Sequence, residues 1–153
     1  MSVTNTSAPA AAIDLIHLST GGQTVSVRLR STEPALEDLG VRYYDAEVVV
    51  SSYFVNGTVT LGFDSSDLDD WGCLLDAVAE ADEEPDEEEP FTADWPRAGR
   101  SAYLRFVADD PYIVEVHDGT GTGICVAVPL DMREGWLPEA KERLAAVRAV
   151  LGA

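Results

Sequence analysis

The chain has few of the side chains that do chemistry. Its 153 residues include two histidines, two cysteines and one lysine. Histidine carries most acid–base work near neutral pH, so two of them leave little to choose from. Cys73 and Cys125 are too few for a disulfide framework or a structural zinc site. Free cysteine is among the most buried residue types, so both are expected to be small core side chains, one in a helix and one in a strand. No apolar run approaches the roughly 20 residues of a membrane span. The opening "MSVTNTSAPAAA" has neither a basic n-region nor an apolar h-region. It reads as a disordered tail, 1–12, rather than a secretory signal, and a cytoplasmic protein is expected.

Recognised catalytic and ligand-binding motifs are missing as well. There is no G-x-S-x-G elbow, and the Cys–His pairs carry no family signature. "DSSDLDDWGCLL" (64–75) lacks the order of an EF-hand loop, and the acids that follow it define no calcium cage. "DGTGTG" (118–123) precedes a strand rather than a helix, so it reads as a hairpin turn and not a phosphate loop. Paired carboxylates for glycoside hydrolysis would need an aromatic-lined cleft, and the aromatics here fall at core positions. No catalytic residue, no metal ligand set and no cofactor are expected.

Acid is what the chain has in excess. The formal net charge is −18, and thirteen of the 28 acids lie between residues 64 and 90, where there is no base. Such a field repels nucleic acid and anionic lipid and attracts basic partners. The nine arginines against one lysine fit a GC-rich coding bias or salt adaptation, but clustering argues against salt adaptation, which acidifies a whole surface. "ADEEPDEEEP" (81–90) is the densest stretch. Asp82, Glu83, Glu84, Asp86, Glu87, Glu88 and Glu89 are the candidate partner-binding residues.

Periodicity predicts the layout. "AIDLIHLS" (12–19) and "QTVSVRLR" (23–30) flank a glycine pair and read as a hairpin. Within the first, His17 shares an alternation face with Ile13 and Leu15, as a core or edge histidine would. "STEPALEDLG" (31–40) reads as a connector. "YYDAEVVVSSYF" (43–54) and "VNGTVTLGF" (55–63) form a second hairpin with Asn56-Gly57 at its turn. In 65–81, Leu68, Trp71, Leu75 and Val78 make a helical stripe, with Ser66 as N-cap and Asp67, Asp69 and Asp70 in the first turn. Three prolines and packed like charges predict a loop over 82–100. Strands follow at 102–108, 112–118 and 123–130. A closing helix over most of 133–152 has Ala140, Leu144, Val147 and Leu151 as its stripe and Gly152 as its stop.

The expected fold is therefore α+β: one domain, 13–153, with a single, mostly antiparallel sheet of about seven strands and two amphipathic helices packed on one face. The charges of "DWPRAGRSAYLRF" (94–106) are expected to pair internally. "YIVEVHD" is expected as an edge strand able to pair two copies, so the protein would be a monomer or a dimer.

Three stretches carry a family resemblance: "YYDAEVVVSSYFVNGTVTLGFDSSDLDDWGCLLDAVAE", "WPRAGRSAYLRF" and "GTGICVAVPLDMREGWLPEAKERLAAV". Over residues 13–151 the chain resembles a family of small acidic proteins of unknown function, abundant in Streptomyces and related actinobacteria. The marks are the hairpin before "DLDDW", the "WP…GRS" pair and the closing "GW…ERLA" helix. None is catalytic, so the resemblance implies no activity and transfers no functional residue. The strand–strand–"DL…W…L" layout is also similar in pattern to WapI-type immunity proteins of bacterial toxin systems.

The leading expectation is a non-catalytic protein-interaction module, of immunity type, whose acidic surface engages a basic protein such as a toxin. The alternative is a small-molecule or metal-binding protein, or a small enzyme. Its pocket would lie between sheet and helices, with Tyr112, Glu115 and His117 as the polar groups.

Overall fold

The computed structural model describes residues 13–84, 88–97, 102–119 and 121–152. Among these residues, nine strands and two helices run in the order β1 (Asp14–Thr20), β2 (Gln23–Leu29), β3 (Leu36–Asp38), β4 (Val41–Ser51), β5 (Gly57–Asp64), α1 (Ser65–Glu83), β6 (Phe91–Trp95), β7 (Tyr103–Ala108), β8 (Tyr112–His117), β9 (Cys125–Leu130) and α2 (Trp136–Leu151). Among the described residues, no helix is long and apolar enough to cross a membrane.

The fold is α+β and antiparallel, but the strands form two sheets rather than one. The first has five strands centred on β4, which pairs with β2, β3 and β5 while β1 pairs with β2; the second runs β6-β7-β8-β9. The expected hairpins form, but the turn of the second is not Asn56-Gly57. Gly57 already pairs with Val50 in the ladder. The chain reverses over Ser52–Asn56, where Ser52 Oγ donates to Val55 O at 2.8 Å and Asn56 Nδ2 donates to Ser52 O at 3.0 Å. Helix α1 separates β5 from β6 along the chain, and these two strands do not pair. Nor do the helices cover one face of one sheet. Helix α1 touches β4 and β5 of the first sheet and β6 and β7 of the second, and α2 rests on α1 and β1.

Two strands were hidden in predicted loops. Strand β3 lies inside 31–40, and β6 lies inside 82–100. Pro90 and Pro96 bracket β6 instead of breaking it, because a proline outside the ladder removes no ladder donor. The expected edge strand β8 is interior, between β7 and β9, so the edges of the second sheet are β6 and β9.

The inner faces of both sheets and both helix stripes share one core. Val25 and Val27 of β2, Val48 of β4, Leu61 of β5, Val114 of β8 and Leu130 of β9 are fully or almost fully buried. An aromatic chain crosses it. Tyr44 stacks on Phe63, Phe63 meets Trp95 at 6.0 Å, and Trp95 meets Trp71 at 6.0 Å. Trp95 Nε1 also donates to the Asp67 carbonyl at 2.6 Å, tying an edge strand of the second sheet to the start of α1. The sheets are linked again where Thr20 Oγ1 and Gln23 Nε2 donate to the carbonyls of Asp131 and Pro129.

Several local expectations change. The N-cap of α1 is Asp64, not Ser66. Its carboxylate accepts from Asp67 N at 3.1 Å while Asp67 Oδ2 accepts from Asp64 N at 2.8 Å, a reciprocal capping box. A register shift between Asp14 and Ile16 buries both Leu15 and Ile16 and takes His17 off the face of Leu15, toward Ser26 Oγ at 3.0 Å. Of its two expected places, core or edge, His17 therefore takes the edge, on the outermost strand β1. Cys73 and Cys125 are exposed rather than core residues. Cys73 sits beside the buried stripe of α1, and Cys125 points away from the face that carries Val128 and Leu130.

Candidate functional site

The acidic run is divided between elements. Asp82 and Glu83 lie in the last turn of α1 and Glu84 is its C-cap, so the predicted loop begins two residues late. Glu88 and Glu89 lead into β6, while Asp86 and Glu87 lie outside the described residues. All five described acids are exposed. A cleft of about 430 Å³ between the end of α1 and the start of β6 brings Glu84 and Glu89 together, with Phe91 and Ala108 on its wall. Acids nearer the start of α1 have partners: Arg148 to Asp69 at 2.6 Å, Lys141 to Asp76 at 2.9 Å and Arg97 to Asp70 at 3.9 Å. No base lies in the last turn of α1.

A second group lies on the outer face of the four-stranded sheet. Alternation along β7 and β8 points Leu104, Phe106, Val114 and Val116 into the core and Tyr103, Arg105, Glu115 and His117 away from it. Register sets Arg105 opposite Asp94 and Glu115, and His117 opposite Tyr103 and Cys125. His117 Nε2 is 2.8 Å from Glu115 Oε1 and 3.5 Å from Cys125 Sγ. The Tyr103 ring stacks on the imidazole at 4.6 Å, with 4° between the planes. Arg105 binds Asp94 through Nε at 2.7 Å and Nη2 at 3.1 Å. That bidentate bond raises the guanidinium pKa further above its ordinary value. The thiol of Cys125 is pushed up, first by desolvation of its sulfur and then by the Glu115 carboxylate, with Arg105 acting in the opposite sense.

Tyr112 does not join Glu115 and His117. It lies on the other face of β8, where its ring meets Phe106 and Trp136 and its hydroxyl donates to Asp82. Burial, and then the Asp82 carboxylate, push its pKa up. The third group near His117 is instead Cys125, from the next strand. The hairpin register across "DGTGTG" was the sequence signal for it, since that turn closes with Gly123 N donating to Asp118 O at 2.9 Å and sets His117 against Cys125. The exposed Asp118 carboxylate accepts from Thr122 N and Oγ1, and these bonds lower its pKa.

A cleft of about 790 Å³ does open between α1 and the second sheet, lined by Asp70, Cys73 and Leu74 from α1 and by Phe91, Asp94 and Arg105 among the sheet residues. None of Tyr112, Glu115 or His117 lines it.

The model of one family, described as a family of unknown function (DUF5959), matches residues 13–152. No curated protein and no solved structure matches the chain.

Proposed function

The chain belongs to this family of unknown function, and we propose that it works as a non-catalytic cytoplasmic protein-interaction module whose acidic edge engages a basic protein. The observation that carries this reading is the end of α1. Glu80, Asp82, Glu83 and Glu84 gather at the negative end of the helix dipole, and its last turn has no base. Each carboxylate placed there costs about 0.3–1 kcal/mol by the strength of charge–dipole terms. Asp82 has a use within the fold, since it accepts from the Tyr112 hydroxyl. The dipole gives no reason to collect Glu80, Glu83 and Glu84 at that end, whereas a cationic partner would offset the repulsion. Glu84 and Glu89, which flank one cleft, are the central contacts. An immunity-type role, in which the acidic edge caps the basic cleft of a toxin, is the most concrete form. It rests on charge complementarity and on the pattern likeness to immunity proteins. The actinobacterial origin suggested by the sequence belongs to the same proposal.

Charge-steered complexes associate fast and weaken steeply with salt. The wild-type chain and a Glu83→Gln/Glu84→Gln/Glu88→Gln/Glu89→Gln variant should be used as baits at low and high salt. The expected result is one basic protein held by wild type at low salt, released at high salt and lost by the variant. An empty bait at low salt, or capture indifferent to both salt and the four glutamines, would rule the reading out.

A further inference from the structure

We propose that Glu115, His117 and Cys125 form a binding site for a divalent metal ion of the zinc class on the outer face of the four-stranded sheet. This departs from the leading sequence expectation of no metal, gives the metal-binding alternative a ligand set in which Cys125 replaces Tyr112, and does not depend on the acidic edge. One carboxylate oxygen, one imidazole nitrogen and one sulfur lie within 4.8 Å of one another. The shared centre is His117 Nε2, approached by Glu115 Oε1 at 2.8 Å and by Cys125 Sγ at 3.5 Å.

That sharing separates two chemistries. In a thiol–imidazole–carboxylate relay the two ring nitrogens take different partners, so the base can accept a proton on one side while it is oriented from the other. Here the carboxylate and the thiol converge on the same nitrogen. A single N–H points at one of them, whereas a cation on that lone pair is within reach of both. The spacing agrees. Zinc bonds of about 2.0–2.2 Å to N and O and about 2.3 Å to S put tetrahedral ligand atoms about 3.3–3.6 Å apart. The nitrogen–sulfur pair already has that separation, and the nitrogen–oxygen pair needs to open by about half an ångström to reach it. The oxygen–sulfur pair, which lies within 4.8 Å, needs a side-chain rotation that closes it by up to about 1.2 Å.

The donor types select the metal. A thiolate with an imidazole suits zinc or cobalt(II), while calcium and magnesium take oxygen ligands. On binding, the S–H bond breaks, the sulfur–metal bond forms and one proton goes to solvent; His117 binds as neutral imidazole. The surroundings favour this. Tyr103, stacked at 4.6 Å, holds the ring plane, and the nearby positive charge of Arg105 is offset by its two bonds to Asp94. The side chains of His117 and Glu115 keep 18% and 27% of their surface exposed, so an ion has a path in. Three protein ligands leave a fourth position for water or another ligand.

The test is titration of the untagged full-length chain with Co²⁺, followed by displacement with Zn²⁺. One equivalent of Co²⁺ should bring up sulfur-to-metal charge-transfer absorption and tetrahedral d–d bands, and Zn²⁺ should bleach both. Cys125→Ser should abolish the charge-transfer band. His117→Gln should weaken binding by more than the roughly 10–100-fold that loss of an outer-shell partner costs. Cys73→Ser should leave the spectra as they are. Failure to bind Co²⁺ overturns the proposal. So does Co²⁺ bound without a charge-transfer band, which would place it on the carboxylates. A band that survives Cys125→Ser or vanishes in Cys73→Ser overturns it too. Circular dichroism reports whether each variant folds. If Cys125→Ser does not fold, alkylation of the folded Cys73→Ser chain, whose one remaining thiol is Cys125, decides instead: loss of the band supports the site and its persistence refutes it.

Discussion

Trp71 and Trp95 touch in the core, each about 1% exposed, but they are held differently. Trp95 Nε1 donates to Asp67 O, whereas Trp71 Nε1 is buried with no partner among the described residues. An unsatisfied buried donor costs about 1–3 kcal/mol, a made hydrogen bond contributes about 0.5–1.5 kcal/mol, and shrinking either ring also costs packing. Trp95→Phe loses both packing and a bond. Trp71→Phe loses packing but removes the unpaired donor. In urea denaturation Trp95→Phe should therefore be the more destabilising, by about 1–3 kcal/mol. Equal losses would mean that Trp71 Nε1 has a partner, such as a water, in solution. Helical spacing was enough to place Trp71 in a core stripe. Nothing local distinguished the two indoles, because the partner of Trp95 lies 28 residues away in sequence.

The two ends of α1 obey the helix dipole differently. Its start has the Asp64–Asp67 capping box, a stabilising arrangement. Its end carries Glu80, Glu83 and Glu84 where the dipole disfavours them. Replacing these three with glutamine should stabilise the free protein by about 0.3–1 kcal/mol per site, each kcal/mol raising Tm by about 2–4 °C in a domain of this size. A scanning calorimetry trace with unchanged or lower Tm would show that the acids have compensating contacts within the fold, which would weaken the case that they serve a partner. The helix itself was legible from Leu68, Trp71, Leu75 and Val78. Its last two residues were not, because the acids and Pro85 argue for a loop as soon as the apolar stripe stops.

At the scale of the whole molecule, a net charge of −18 opposes compaction. The screening length falls from about 30 Å at 0.01 M salt to about 8 Å at 0.15 M. Sodium chloride should therefore raise Tm across that range while it weakens any complex made through the acidic edge. These opposite signs separate self-repulsion from partner binding in one set of titrations. A Tm that falls with salt would mean that ion pairs such as Arg148–Asp69 and Arg105–Asp94 outweigh the repulsion.

Hairpins, helix stripes and charge were set by the sequence, since each depends on neighbours a few residues apart: alternation along β2, β4 and β8, the four-residue stripe of α2, thirteen acids in one stretch. The tertiary structure decided how the pieces combine. Whether β5 and β6 would share a sheet depended on where α1 packs, and no local period encodes that. Likewise, Tyr112 and His117 are close in sequence but lie on opposite faces of β8, and a hairpin's register delivers Cys125 to His117 in its place. A side chain's own strand fixes which face it occupies. Its company on that face comes from strands that only folding sets alongside.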